Sequence, residues 1–230
     1  NDYRVILATN GLEGLQQAIA TIPDLVVSDV MMPDMNGLEL CRKLKSDERT
    51  SHIPIILLTA RQSDESKVEG YETGADAYIT KPFNSNVLQA QIRNLLDQRQ
   101  RLRELFSKGS AIEIKKIAIN VTDEAFLNKV IQHINDNLED EDFNINALSE
   151  MLNMSRSQFY RKIKALTNQT LLDFVNTIRM NKALEYLLSG EYNISETAFK
   201  VGYSMSSNFT RTFTRHFGVS PSKYIESIRK

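Results

Sequence analysis

Three side chains that could handle a phosphoryl group follow short apolar runs in the first half of the chain: Asp29, Thr59 and Lys81. Apolar runs of this kind, alternating with helical patterns, predict buried parallel strands whose carboxyl ends meet at one edge of a sheet. A carboxylate can attack a phosphoryl group, while a hydroxyl and an ammonium group can hold the oxygens of the transferred group. The sequence therefore predicts a phosphoacceptor edge on the sheet.

The stretches around these residues resemble the diagnostic segments of the response-regulator receiver family. They read LVVSDVMMPDMNGLEL, IPIILLTA and GADAYITKPF, and the resemblance covers residues 1 to about 100. It implies a flavodoxin-like doubly wound parallel sheet, with Asp29 as the phosphoryl acceptor, Thr59 as the switching hydroxyl and Lys81 as the phosphate-contacting lysine. It also implies that Tyr78 rotates on activation, that a surface near the fourth helix and last strand responds, and that the peptide bond before Pro82 is cis.

A magnesium ion belongs to the same resemblance. The family implies that Mg²⁺ is bound by the Asp29 carboxylate, the backbone carbonyl of Met31 and an acidic pair at the end of a first strand. This chain has no segment for that strand or pair, since Asn1 lies just before what looks like the second strand. Mg²⁺ prefers near-octahedral oxygen coordination, so the remaining ligands would hold it poorly. We therefore expect the sequence to be part of a longer protein, binding little Mg²⁺ and being phosphorylated inefficiently by itself.

Asp29 has other interpretations. A lone strand-end aspartate can be a capping or loop carboxylate. A phosphatase or hydrolase of the same topology would need a second acid to protonate the leaving group, and Asp34 is the nearby candidate. A further hypothesis treats the receiver as a dimerisation scaffold that is insensitive to phosphate. The joint presence of Asp29, Thr59 and Lys81 favours the phosphoacceptor, and the DNA-binding pattern farther along the chain argues against an enzyme.

The last third of the chain is basic and carries a helix-turn-helix pattern. Residues 155–230 contain 12 Lys or Arg against 5 Asp or Glu, whereas the whole chain has a net charge of −1. The stretch NINALSEMLNMSRSQFYRKIKAL places apolar residues on one side of two helices, the second of which would enter a DNA major groove. The outward residues of that second helix, which could reach phosphates and base edges, are Arg156, Ser157, Tyr160, Arg161 and Lys164.

The pattern recurs, and its second copy resembles the signature of the AraC family of DNA-binding domains: AFKVGYSMSSNFTRTFTRHFGVSP, residues 198–221. The resemblance implies that helices at 155–166 and 206–217 enter successive major-groove segments of one duplex. The outward residues of the later helix are Ser206, Ser207, Asn208, Thr210, Arg211, Thr214 and Arg215. Arg161 and Arg211 are candidates for reading bases, because an arginine can bond bidentately to guanine. A solvated or phosphate-contacting arginine is the alternative in each case.

An α/β half followed by an all-α half must position these groups. Apolar runs predict strands at Arg4–Ala8, Leu25–Ser28, Ile53–Leu58 and Ala77–Thr80. A long helix is predicted over 84–106, and seven more at about 123–138, 144–152, 155–166, 170–188, 194–200, 206–217 and 221–228. Start signals are Thr122, Ser155, Ser195 and the Ser220-Pro221 pair. The predicted domains are a receiver over 1–106, a linker over 107–122 and a DNA-binding domain over 123–230.

The remaining predictions concern the core of the protein, its location in the cell and its partners. Cys41 lies on an apolar helical face and is expected in the core, as is the stripe formed by Phe209, Phe213 and Phe217. The longest apolar run is far shorter than the ~20 residues of a membrane span. We expect a cytoplasmic regulator, or one tethered to the inner membrane within a longer hybrid histidine kinase. The expected partners are double-stranded DNA, a histidine kinase and a second copy of the chain, with no small-molecule substrate.

Overall fold

The computed structural model describes residues 3–60, 73–107, 120–140 and 145–228. Within these ranges an α/β part precedes an all-α part, which confirms the predicted fold class. The linker predicted over 107–122 lies mainly outside the described residues. None of the described helices combines the length and the apolar character needed to cross a bilayer.

The α/β part consists of two helices, α1 and α2, around a sheet that has three strands among the described residues. The elements are α1 (Gly11–Thr21), β1 (Val26–Asp29), α2 (Gly37–Ser46), β2 (Ile55–Thr59) and β3 (Ala77–Thr80). The strands are parallel in the order β1-β2-β3, so the central strand β2 is buried from residue 55 to residue 57. Leu40, Cys41 and Leu44 of α2 pack against this sheet, which confirms the core position of Cys41.

The strand predicted at Arg4–Ala8 is wrong: residues 4–8 form no strand. Val5 and Leu7 are 73% and 81% exposed. A strand needs the main-chain groups of a neighbour, and among the described residues β1 pairs with β2 alone. The segment instead touches α1, where Gln17 Nε2 donates to the carbonyl of Leu7 at 3.0 Å. The apolar pattern predicted a strand, but a pattern within one segment does not show whether a partner strand lies beside it.

A long helix, α3 (Ser85–Ser107), leads out of the sheet, and seven helices follow. They are α4 (Val121–Asp136), α5 (Ile145–Met151), α6 (Arg156–Thr167), α7 (Leu171–Ser189), α8 (Ile194–Lys200), α9 (Ser206–Phe217) and α10 (Pro221–Ile228). All seven were predicted, and their ends lie within two residues of the predicted ends. The helix α3 contacts α6, so the two parts of the chain touch.

Two of the predicted caps are wrong by two residues. The cap of α4 is Asn120 rather than Thr122, and that of α8 is Asn193 rather than Ser195. In both helices the asparagine Oδ1 accepts a hydrogen bond from the N–H three residues on, at 2.9 Å. An amide oxygen caps as well as a hydroxyl, so several polar residues in a row left the choice open. Ser155 is confirmed as the cap of α6, within a capping box.

The all-α part packs around α7. The first half of α7 closes a core with α4, α5 and α6, and its second half closes another with α8, α9 and α10. Phe209 and Phe213 are fully buried in the latter core and Phe217 packs against it, as predicted. One helix therefore holds two helix-turn-helix units, α5-α6 and α8-α9, in a single body.

Candidate phosphoacceptor site and nucleic-acid interface

Asp29 ends β1, and its carboxylate lies beside the ammonium group of Lys81, which follows β3. Lys81 Nζ donates a hydrogen bond to Asp29 Oδ2, and the N–H of Met31 donates to Oδ1 at 3.1 Å. Burial acts to raise the pKa of the Asp29 carboxyl, but these two hydrogen bonds outweigh it and hold the pKa below its ordinary value. Asp29 is therefore ionised at neutral pH, as a carboxylate nucleophile must be.

Thr59 lies at the same edge of the sheet. It ends β2 and pairs in register with Thr80, the residue before Lys81, while Asp29 pairs with Leu58, the residue before Thr59. The three predicted site residues are thus gathered at adjoining strand ends. The peptide bond between Lys81 and Pro82 is cis, as expected.

Tyr78 lies three residues before Lys81 on the sheet and is half-buried. Its hydroxyl is 3.0 Å from Thr73 Oγ1, a distance at which either group can donate. This contact gives the aromatic ring a defined position in the present arrangement. A rotation of Tyr78 would have to break it.

A tight loop brings α2 against the site. Gly37 starts α2 and donates its N–H to the carbonyl of Val30 at 3.0 Å. A Cβ atom at Gly37 would lie 2.1 Å from the carbonyl oxygen of Asp29, so only glycine fits there. This close approach anchors the amino-terminal end of α2 directly behind the Asp29 backbone.

Two groups among the described residues could contribute to a magnesium site. The Asp29 carboxylate and the Met31 carbonyl are oxygen donors of the kind that Mg²⁺ prefers. However, the carboxylate already accepts from Lys81 and from the Met31 N–H. No group of three or more His, Cys, Asp or Glu able to hold a metal occurs among the described residues. Mg²⁺ usually keeps several waters and takes only one or two carboxylates from a protein, so these two oxygens would form part of its ligand set.

The predicted outward residues of α9 share one face of that helix. Arg211, Arg215 and Ser207 are exposed, and Asn208 is exposed beside them. The open, nearly flat surface of this face is formed by Ser206, Ser207, Thr210, Arg211, Thr214 and Arg215. The opposite face carries the buried Phe209 and Phe213. The helix thus exposes guanidinium and hydroxyl groups on one face, while its other face packs in the apolar core.

The predicted outward residues of α6 have different surroundings. Arg156, Ser157, Tyr160, Arg161 and Lys164 are exposed. Even so, Arg161 Nη1 donates to the carbonyl of Ala20 at 2.8 Å, and the neighbouring Gln158 Nε2 donates to that of Ile19 at 3.4 Å. Both carbonyls belong to the last turn of α1. This face of α6 is therefore joined to the α/β part.

Sequence reasoning missed Lys162, which is fully buried in α6. Its ammonium group lies 3.0 Å from the carboxylate of Asp123, which is also fully buried, and 4.5 Å from the centre of the Phe126 ring. Burial lowers the pKa of the Lys162 ammonium group, although the attraction of Asp123 opposes this effect. The signal was available, since Phe159, Lys162, Ile163 and Leu166 share one helical face. A lysine on an apolar face calls for a buried partner.

Comparison with known proteins separates the chain into the same two parts. Residues 1–93 match the family described as "Response regulator receiver domain", and residues 148–227 match the one described as "Helix-turn-helix domain". Histidine kinase P4 of Formosa agariphila is 41% identical over 224 residues, which are 97% of this chain and 16% of that protein. Probable transcriptional regulator ycf29 of Pyropia yezoensis is 34% identical over 172 residues, 73% of each chain.

Among solved structures, the signal receiver domain of a signal transduction histidine kinase from Syntrophus aciditrophicus is 41% identical, with a TM-score of 0.40. The match covers 42% of this chain and 73% of that one. The chain spans about half or less of the length of the first curated relatives it matches.

Proposed function

The chain belongs to the response-regulator family, and we propose that it is a DNA-binding transcription factor controlled by phosphorylation of Asp29. It joins a receiver domain to an AraC-type helix-turn-helix domain, which is the composition of a regulator rather than an enzyme. We assign the receiver to residues 1–106, the linker to 107–122 and the DNA-binding domain to 123–230.

The proposal rests on the two faces of α9, one apolar and buried, the other polar and exposed. A helix fixed by Phe209 and Phe213 can enter the major groove with its outer face leading. The hydroxyls on that face suit phosphate oxygens, and Arg211 suits the bidentate acceptor pair of a guanine. Arg161 is the corresponding residue of α6. The polar residues that flank these two arginines would set the position of the helices on the duplex.

Phosphorylation requires a nucleophile and a cradle for the transferred group. The ionised Asp29 carboxylate attacks the phosphorus of a phosphohistidine, so that a P–O bond forms while the P–N bond of the donor breaks. Lys81 and Thr59 then hold oxygens of the new acyl phosphate. After exposure to the phosphodonor, equal affinities for DNA with Asp29 and with Asp29→Ala would favour the phosphate-insensitive scaffold instead.

The partners follow from these two activities. A histidine kinase is the proposed donor. Because nearly the whole chain matches part of a protein named a histidine kinase, the donor and this chain could share one polypeptide. We place the protein in the cytoplasm, where chromosomal DNA is reached, and propose that two copies bind together. The Mg²⁺ expected in a complete receiver would need ligands besides Asp29 and Met31.

DNA recognition is tested with the full chain and a duplex of roughly 30 base pairs, about three helical turns, enriched from a random-sequence pool. Arg211→Ala should weaken binding by about 5- to 150-fold, the effect of losing one bidentate base contact. The loss should be greatest for duplexes that keep the preferred base at one position. Fluorescence anisotropy measures both effects.

Arg42→Ala is the matched control, because Arg42 is an exposed arginine on α2 in the other domain. It should leave the affinity unchanged. If no sequence is enriched, or if the two variants lose the same affinity at every sequence, then α9 is not a reading helix.

A further inference from the structure

The all-α part is docked on the receiver through a short polar segment, residues 47–53, between α2 and β2. We propose that this segment and the last turn of α1 form a docking surface for α6, which withholds that helix from DNA. The inference rests on the proposed function only where it concerns DNA. The docking itself rests on the contacts of the described residues.

A closed polar triangle lies at the centre of the docking surface. Ser51 Oγ accepts a hydrogen bond from Lys162 Nζ at 3.0 Å and donates one to Asp123 Oδ1 at 2.7 Å. Lys162 and Asp123 are 3.0 Å apart and wholly inaccessible to solvent. Lys162 also donates to the carbonyl of Glu48. The receiver thus supplies a hydroxyl and a carbonyl to an ion pair that belongs to the other domain.

Other groups along the segment are matched in the same way. Asn120 caps α4 through its Oδ1 and donates its Nδ2 to the carbonyl of Ser51 at 2.8 Å. Lys129 of α4 is paired with Glu48 at 2.9 Å. Connecting segments normally run over the surface in contact with water, whereas Thr50, Ser51 and His52 are at most 1% exposed. Ser51 is covered by Asp123, Lys162 and Asn120 of the helical domain.

The docked arrangement competes with DNA for α6. A major groove about 12 Å wide admits one helix of about 10–12 Å diameter, with no room for a second. Here Arg161 and the neighbouring Gln158 bond to carbonyls at the end of α1. Those carbonyls carry the partial negative charge of a helix carboxyl end, which attracts a guanidinium group. Arg161 cannot bond to α1 and to a base at once, so α6 must leave the receiver to read DNA.

The position of the docking surface suggests how it connects to Asp29. The helix α2 starts at Gly37, against the Asp29 backbone, and ends at Ser46, beside the docking segment. Near its far end, Lys45 donates to the carbonyl of Ile53 at 3.0 Å. A movement of α2 at the phosphoacceptor site would therefore displace the docking segment. The resemblance to the receiver family implied a responding surface near the fourth helix and last strand instead.

Acylation of lysines provides the test. A short pulse of acetic anhydride on the full chain, followed by peptide mass spectrometry, compares buried Lys162 with exposed Lys164 on the same helix. Lys162 should react at least about tenfold more slowly than Lys164, since labelling needs an opening of the docked form. Equal labelling of the two lysines would overturn the docking.

Ser51→Arg places a second cation beside Lys162 and should release α6. We expect Lys162 to become about as reactive as Lys164, and the enriched duplex to bind roughly tenfold more tightly because the competent form is now more populated. Ser46→Arg is the matched control, since Ser46 is an exposed serine at the end of α2. It should change neither quantity.

If Ser51→Arg fails to fold, acetylation of the unaltered chain in the presence of saturating duplex tests whether docking withholds α6 from DNA. By linkage, DNA that binds the undocked form must expose Lys162. Unchanged protection of Lys162 under bound DNA contradicts the withholding, as does a Ser51→Arg chain with labelled Lys162 and unaltered affinity. A chain that binds no duplex in any form contradicts the proposed function and the withholding together, while the labelling of Lys162 without DNA still decides the docking.

Discussion

The two helix-turn-helix units of the chain share one plan and differ in what surrounds their second helices. Each turn contains a left-handed residue, Asn153 with φ 50° and Gly202 with φ 77°. Each turn closes with an equivalent main-chain hydrogen bond, at 2.9 Å in the first unit and 3.0 Å in the second. Beyond the turns the likeness ends, because α6 is joined to the receiver while the outer face of α9 is an open surface.

The two units differ in which side chains fill their interiors and in whether buried charges there need partners from the receiver. The second unit is closed by apolar side chains, among them Phe209, Phe213 and Phe217, and needs nothing from the receiver for that core. In the first unit, Lys162 of α6 forms a buried ion pair with Asp123 of the neighbouring helix α4, and Ser51 of the receiver bonds to both. Control by the receiver can therefore act on the first unit and leave the second ready to bind.

The largest effect is expected from Lys162→Met. It leaves the Asp123 carboxylate buried without a counter-charge, which should lower the free energy of unfolding of the first unit by about 3–5 kcal/mol. Lys164→Met removes an exposed lysine from the same helix and should change that free energy by less than about 0.5 kcal/mol. Urea unfolding followed by circular dichroism measures both.

Removing both charges, in Lys162→Met with Asp123→Leu, should restore most of the loss, because neither charge is then left buried alone. If Lys162→Met is tolerated as well as Lys164→Met, the ion pair is solvated in solution and the contrast between the two units disappears.

A smaller effect is expected at the two turns. A Cβ atom at Gly202 would lie 2.4 Å from the carbonyl oxygen of Leu138 and 2.8 Å from Arg179 Nη2. Gly202→Asn keeps a residue type that tolerates the left-handed conformation but overfills this space, and should cost about 1–3 kcal/mol. The reciprocal change, Asn153→Gly, should cost less than about 1 kcal/mol. Thermal unfolding distinguishes them, and equal costs would show that space at Gly202 is not limiting.

The smallest effect concerns the starts of the two helices. Ser155 Oγ accepts from the N–H of Gln158 at 3.3 Å, whereas Met205, in the same place before α9, provides no side-chain cap. Ser155→Ala should destabilise α6 by about 1 kcal/mol, and Met205→Ser should stabilise α9 by about 0.5 kcal/mol. Hydrogen exchange in the first turn of each helix reports these changes. Faster exchange in α9 after Met205→Ser would contradict the role of the cap.

Much of the fold was predictable because its causes are local. The helices of the all-α part were found from apolar residues at helical spacing, and the Asp29 edge from residues that directly follow apolar runs. Asp29 and Lys81 meet because parallel strands align their carboxyl ends, a rule that needs only the order of elements. The strand predicted at Arg4–Ala8 failed because no neighbouring strand pairs with it among the described residues.

The amino-acid order by itself determined which helices form, which of their faces are apolar and which residues end the strands, since these depend on neighbours a few positions away. Only the tertiary structure decided which groups surround the buried Lys162, and that Arg161 bonds to α1. Ser51 and Lys162 are 111 positions apart, and no periodicity connects them. They meet because the receiver covers a buried charge of the other domain. A charge is buried in a protein only where polar or charged partners surround it.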